Sequence, residues 1–114
     1  NFTAIFVYND AMAVGVITTL EDNGYRVPND ISVIGFDDAL IASYSRPRLT
    51  TLHYPVEEMA QRAAELALQA VGHKQPKSKK HEGSDESVLF TTTHKYLPHL
   101  IKRESTTSCK NIFS

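Results

Sequence analysis

Two apolar segments in the first third of the chain each run into a pair of polar side chains. The pairs are Asn9-Asp10 and Asp37-Asp38. In an open parallel sheet, ligands bind in the crevice beyond the carboxyl ends of the strands, so the two pairs are candidates for one shared site. An amide offers a donor and an acceptor, and an ionised carboxylate accepts several hydrogen bonds. The pairs therefore predict a site for a polyhydroxylated ligand such as a sugar.

The sequence around these pairs predicts the elements that would place them together. Residues 4–8 and 31–36 are apolar without alternation, which is typical of strands covered on both faces. Between them, apolar residues recur three and four apart over 11–22, which predicts a helix, and Gly24 predicts its end. Strand, helix and strand form a βαβ unit with parallel strands, so both pairs should lie at one edge of the sheet.

Local roles compete with ligand binding at these residues. Asp10 and Asp38 are each placed to cap the helical segment that follows them. We expect both to act as caps, which leaves Asn9 and Asp37 as the pair that faces a ligand. Asp37 and Asp38 could also bind magnesium, because hard cations prefer carboxylate oxygens. The third predicted strand, however, adds no further acid at its end.

The rest of the chain predicts a third strand, a long helix and two short strands. The predicted elements are a loop over 39–48 with one helical turn near 40–43, a strand over 49–54, a helix over 56–71, and strands over 87–91 and 96–101. Pro55 suits the first helical position and Gly72 the helix end. Pro98 favours an edge position for the last strand.

Residues 73–86 combine lysines with serines, glycine, proline and acids, and they predict a mobile loop. Clustered lysines could neutralise nucleic-acid phosphates, but no aromatic side chain is interleaved for base stacking. We therefore interpret the segment as a solvated loop. Residues 102–105 and the polar tail 106–114 are expected to fray.

Composition limits the class of protein. The 114 residues suit one compact domain or part of one, and a net charge of −1 provides no bulk attraction to nucleic acid or membrane. No apolar run approaches the roughly 20 residues of a membrane-spanning helix. Asn1 lies only a few residues before the first strand, so we expect the chain to be part of a longer protein.

Signals for enzyme chemistry are weak. The sequence has no Gly-x-Ser-x-Gly elbow, Cys109 has no nearby histidine, and the five histidines lack metal-ligand spacing. No Gly-rich phosphate loop follows either strand. We expect no catalytic residue, no metal and no cofactor.

Four segments, in this order and spacing, resemble the lactose/galactose repressor family of bacterial transcription regulators. They read TAIFVYNDAMA, VIGFDD, PRLTTL and PHLIKRES. Each is modest alone, but the four in register are specific. Within the family, the resemblance looks closest to the galactose repressors.

The resemblance implies a periplasmic-binding-protein-like effector domain of two α/β subdomains around a sugar cleft. This chain is similar to most of the C-terminal subdomain. The N-terminal subdomain and a helix-turn-helix that binds operator DNA would lie upstream. The effector-binding positions of the family fall on Asn9 and Asp37, and its dimer contacts fall on 11–22 and 39–48. The implied effector is D-galactose, and the implied protein is a cytoplasmic homodimer.

The sequence thus predicts an α/β fold, with a parallel sheet and flanking helices over 1–105. The predicted function is the effector-sensing part of a sugar-responsive, DNA-binding repressor of galactose genes, which is not an enzyme. The alternative is a periplasmic sugar-binding protein of a transporter, which shares the fold and the strand-end Asn and Asp. An upstream secretory signal would indicate transport, and an upstream helix-turn-helix would indicate repression.

Overall fold

The computed structural model describes residues 2–72 and 93–109. Within these ranges the elements are β1 (Ala4–Phe6), α1 (Asp10–Asp22), β2 (Ser32–Phe36), α2 (Leu40–Tyr44), β3 (Thr50–His53), α3 (Val56–Gly72) and β4 (His99–Ile101). The strands form one sheet in the order β1-β2-β3-β4. Each of these seven elements corresponds to a predicted one, with α2 at the predicted helical turn near 40–43. The predicted strand over 87–91 and loop over 73–86 lie outside the described residues.

The sheet is mixed. β1 pairs with β2 and β2 pairs with β3 in parallel, which confirms the βαβ unit. β4 instead runs antiparallel to β3, with His53 opposite His99. The predicted parallel sheet is therefore mixed, because its last strand runs antiparallel. Pro98 directly precedes this strand, and the edge position predicted from it is confirmed, since an edge strand tolerates the missing N–H.

α1 ends in the way that the sequence predicts. Gly24 adopts a φ of 84°, a left-handed conformation that glycine reaches without steric cost. Its N–H donates to the carbonyl of Glu21 at 2.9 Å, and the N–H of Tyr25 donates to the carbonyl of Leu20 at 3.0 Å. These two bonds satisfy carbonyls that the end of a helix would otherwise leave unpaired.

The core lies between α1 and one face of the sheet. Ala13 and Ile17 of α1 are buried together with Val33 of β2 and Leu49, which directly precedes β3. The other face of the sheet is more open, and Phe6 is 61% exposed. The expectation that the strands of the βαβ unit are covered on both faces is wrong for β1, whose Ala4 and Phe6 are exposed, whereas every residue of β2 is buried or half-buried.

The chain divides into two compact units. The first, Asn1–Tyr54 with Pro98–Ser114, contains the sheet, α1 and α2, and the second, Pro55–Leu97, contains α3. α3 confirms the helix predicted over 56–71, and no residue of α3 is buried. Among the described residues, none of the helices has the length and apolar character needed to cross a bilayer.

The segment that follows β4 is anchored to the sheet. Ser105 is fully buried, and its hydroxyl donates to the carbonyl of Val33 at 2.6 Å and accepts from the N–H of Thr50 at 2.8 Å. The N–H of Val33 donates in turn to the carbonyl of Ser105 at 2.8 Å. The expectation that residues 102–105 fray is therefore wrong, because Ser105 bridges β2 and β3 at their amino ends.

An ion pair joins the same segment to the loop before β3. The Arg48 guanidinium lies 2.8 Å from a carboxylate oxygen of Glu104, and the N–H of Arg48 donates to the other oxygen at 2.9 Å. These hydrogen bonds hold the pKa of Glu104 below its ordinary value of 4.5 and raise the pKa of Arg48. The sequence motifs PRLTTL and PHLIKRES are thus contact partners in the fold.

Candidate functional site

The candidate site lies at the edge of the sheet where the three parallel strands end. β1 and β2 are neighbours there, with Phe6 opposite Ile34. Asn9 follows β1 by three residues, and Asp37 directly follows β2. The structure therefore places the two predicted effector-binding residues at one edge of the sheet, on adjacent connections.

Asn9 is the N-cap of α1. Its side-chain oxygen accepts a hydrogen bond from the N–H of Met12 at 2.8 Å, and its backbone is extended, with a φ of −150°. The prediction that Asp10 caps this helix is wrong by one residue, because Asn9 takes the cap position and Asn caps a helix as well as Asp does. The side-chain NH₂ of Asn9 makes no hydrogen bond to any residue that the structure describes, so this donor is available to a ligand.

Asp10 is instead a buried structural acid. Its side chain is fully excluded from solvent, and its two oxygens accept from the hydroxyl of Thr51 at 2.6 Å and from the N–H of Ala39 at 2.7 Å. The carboxylate passes so close to Gly35 that a Cβ there would overlap it and would lie 2.9 Å from Leu49. Asp10 therefore links α1 to β3 and to the turn after β2. Both of its oxygens are engaged within the protein and neither is exposed to a ligand.

Asp38 is also used within the protein. The prediction that it caps the following turn is wrong, because Ala39 is the N-cap of α2 and makes no side-chain capping bond. One oxygen of Asp38 accepts from the Arg103 guanidinium at 2.7 Å, and the other lies 3.2 Å from Nδ1 of His53. The guanidinium also donates to the carbonyl of Leu49 at 2.9 Å. Asp38 thus links the end of β2 to the end of β3 and to the segment that follows β4.

Asp37 differs from its neighbours because its side chain is exposed. Its φ of 108° lies in a region that residues with a Cβ rarely adopt, and its N–H donates to the carbonyl of Leu52 at 2.9 Å. The carboxylate has no hydrogen-bond partner within the described ranges 2–72 and 93–109. It is an exposed hydrogen-bond acceptor, and its backbone is held in place by the bond to Leu52 at this edge of the sheet.

Four ring side chains also lie at this edge, and the sequence did not predict any of them as part of the site. Phe36 and Tyr54 have ring centroids 5.3 Å apart, and His53 and His99 have centroids 4.9 Å apart. One signal in the sequence could have predicted His53: residues two apart in a strand lie on the same face of the sheet, so His53 shares a face with Thr51. The His53–His99 contact had no such signal, because it depends on the antiparallel direction of β4.

Metal-ligating side chains do not cluster in the described ranges 2–72 and 93–109. In the part of the chain that the structure describes, no group of three or more histidine, cysteine, aspartate or glutamate side chains could hold a metal ion. The alternative of a magnesium site on Asp37 and Asp38 loses its second ligand, because Asp38 is engaged by Arg103. What remains at the edge is a hydrogen-bonding surface.

An α/β sheet that presents polar groups beyond the ends of its parallel strands belongs to a class of ligand-binding domains. A comparison with protein families agrees: residues 2–106 match the model of the periplasmic binding protein-like domain. The chain belongs to this family. The expected fold class is confirmed, with the correction that the sheet is mixed.

Curated relatives extend the comparison. The chain is 46% identical over 103 residues to the HTH-type transcriptional regulator GalS of Salmonella typhimurium, with 90% of this chain and 26% of GalS covered. It is also 46% identical over 105 residues to the HTH-type transcriptional regulator GalR of Escherichia coli strain K12, with 92% and 27% covered. The chain thus spans about a quarter of the length of these relatives. They are named as regulators and not as enzymes, which agrees with the prediction.

A solved structure supports the same family. A LacI family transcriptional regulator from Lactobacillus casei with bound sucrose superimposes with a TM-score of 0.67 at 32% identity, covering 90% of this chain and 33% of the regulator. The resemblance to the lactose/galactose repressor family is confirmed by these comparisons. They do not favour the alternative of a transport protein, because each of these relatives is named as a transcriptional regulator.

Proposed function

We propose that this chain is the effector-sensing part of a transcriptional repressor of galactose genes. D-galactose is the proposed effector, and Asn9 and Asp37 are the residues that hydrogen-bond its hydroxyl groups. The proposal rests on one observation, which is that the four polar residues at this edge of the sheet differ in their hydrogen bonding. Asp10 and Asp38 are consumed by internal hydrogen bonds, whereas the Asn9 NH₂ group and the Asp37 carboxylate have no partner in the described residues.

The two groups are complementary to a sugar. The Asn9 NH₂ donates to a hydroxyl oxygen, and the Asp37 carboxylate accepts from hydroxyl protons. A hydrogen bond to a charged acceptor is stronger than one between neutral groups, so Asp37 should contribute the larger share of the affinity. The constrained backbone at Asp37 lowers the entropy cost of ordering this group when the ligand binds.

The response to the sugar needs a second half of the cleft. In this proposal, groups from an upstream subdomain contact the other side of the sugar, and the sugar stabilises one arrangement of the two halves. Operator DNA, bound through a helix-turn-helix outside this chain, prefers one of these arrangements. The two ligands then change each other's affinity by the same factor.

We also propose that the protein is a cytoplasmic homodimer, since operator DNA lies in the cytoplasm. Exposed apolar side chains on α1 and α2 support self-association through these helices. Met12 is 55% exposed, Leu40 74% and Tyr44 71%. Large apolar side chains exposed on two helices of one unit are the kind of surface that protein–protein interfaces use.

The ligand assignment can be tested by calorimetry on the full-length gene product. D-galactose is titrated into the wild type and into three variants: Asp37→Ala, Asn9→Asp and Asp22→Ala. Loss of a hydrogen bond to a charged group costs about 1.5–3 kcal/mol, so Asp37→Ala should weaken binding roughly 10- to 100-fold. Asn9→Asp keeps the helix cap but removes the NH₂ donor, and it should weaken binding by about tenfold. Asp22 is exposed at the opposite end of α1, and its variant should bind normally.

The choice of ligand has its own controls. D-ribose and a purine base are titrated in parallel, and each complex is tested for release of operator DNA. Galactose-selective binding with operator release supports the proposal in full. Binding of galactose without any affinity for DNA would indicate a transport protein. Wild-type affinity for galactose in the Asp37→Ala variant would refute the assigned site.

A further inference from the structure

The turn that carries Asp37 is fixed by three consecutive backbone N–H groups. The N–H of Asp37 donates to the carbonyl of Leu52, that of Asp38 to the hydroxyl of Thr51 at 3.4 Å, and that of Ala39 to the Asp10 carboxylate at 2.7 Å. Asp37 and Asp38 both have positive φ values, 108° and 54°. Such conformations persist only where surrounding contacts enforce them.

Thr51 occupies the centre of these contacts. Its hydroxyl donates to the Asp10 carboxylate at 2.6 Å and accepts from the N–H of Asp38, so both of its hydrogen-bonding functions are used. Thr51 and Asp10 are both fully buried. Asp10 also lies in the first turn of α1, where the aligned peptide dipoles favour a negative charge. The pair therefore links α1 and β3 to the turn that follows β2.

We propose that Asp10 and Thr51 are positioning residues for effector binding. They do not touch the sugar. They hold the turn over 37–39 in the strained conformation that exposes the Asp37 carboxylate at the edge of the sheet. This inference rests on the proposed function of Asp37. It states that two buried residues contribute to sugar affinity without contacting the sugar.

A double-mutant cycle separates this role from a general loss of stability. Thr51→Val keeps the shape of the side chain but removes the hydroxyl, and Thr51→Ser restores it. Asp37→Asn supplies the second arm of the cycle. In the folded full-length gene product, Thr51→Val should weaken D-galactose binding by about tenfold, and Thr51→Ser should remain within about twofold of the wild type. In the Asp37→Asn background, Thr51→Val should have little further effect, because the group that it positions is already impaired.

Hydrogen exchange provides a readout that does not depend on sugar binding. Thr51→Val should accelerate exchange of the amides of residues 37–39 by about tenfold while the amides of α1 keep their protection. Unchanged exchange over 37–39 would overturn the proposal. An equal loss of affinity from Thr51→Val in both backgrounds would also overturn it. If Asp37→Asn itself bound sugar normally, the proposed function of Asp37 would fail, and the exchange result would still decide whether Thr51 holds the turn.

Discussion

Replacing Gly35 by alanine should destabilise this protein, although alanine usually stabilises a chain relative to glycine. A Cβ at this position would overlap the Asp10 carboxylate and lie 2.9 Å from Leu49, and both neighbours are fully buried. Overpacking of a dense core costs about 1–3 kcal/mol. Displacing the carboxylate from the Thr51 hydroxyl adds about 1–3 kcal/mol, because the donor is left unsatisfied. We expect a loss of about 2–6 kcal/mol in the free energy of unfolding.

Gly15 offers the matched control. It lies in the interior of α1 and is exposed, and a Cβ there would meet no atom within 4 Å. Gly15→Ala should therefore stabilise the protein by about 0.5–1 kcal/mol, since alanine loses less backbone entropy in a helix. Urea denaturation followed by circular dichroism measures both variants. Opposite shifts of the midpoint are expected, and a Gly35→Ala variant as stable as the wild type would refute the argument that Asp10 occupies this space.

Two further predictions concern the segment after β4. Ser105→Ala leaves the N–H of Thr50 and the carbonyl of Val33 without their side-chain partner and should cost about 1–3 kcal/mol in urea denaturation, whereas the same change at exposed Ser108 should have no effect; equal midpoints for the two variants would contradict the bridge. Because folding lowers the pKa of Glu104, its pair with Arg48 should stabilise the protein above the ordinary value of 4.5, and this stability should be lost as the pH falls through the lowered pKa. The difference in melting temperature between the wild type and Glu104→Gln should accordingly be present near neutral pH and disappear in acid; a difference that persists in acid would show that the charge is irrelevant.

The arrangement of the edge explains why four polar residues in two similar pairs have different roles. The first member of one pair, Asn9, and the first member of the other, Asp37, retain groups that a ligand can use. The second members, Asp10 and Asp38, turn inward to Thr51 and to Arg103. In the proposed site, the internal acids would constrain the backbone, so that the outward groups have little freedom to lose when the sugar binds.

Several features of the fold could be predicted from short stretches of sequence. The βαβ unit, the end of α1 at Gly24 and the helix over 56–71 follow from apolar periodicity and from the conformational freedom of glycine, which act over a few neighbouring residues. The position of Asn9 and Asp37 at one edge follows in turn from the parallel pairing that a βαβ unit imposes. The four short motifs, through their resemblance to known repressors, indicated the family to which the chain belongs.

The remaining features depended on residues distant in the chain. Asp10 was expected to cap a helix, but it accepts a hydrogen bond from Thr51, 41 positions away. Ser105 was expected to fray, but it is buried between β2 and β3, and β4 joined the sheet antiparallel. At Asp10 and Ser105 a polar side chain could satisfy its hydrogen bonds either locally or with water, or with a partner distant in the chain. Sequence describes the local partner, and only the packed tertiary structure, by bringing the distant partner into a buried place where hydrogen bonds are costly to leave unmade, decides between them.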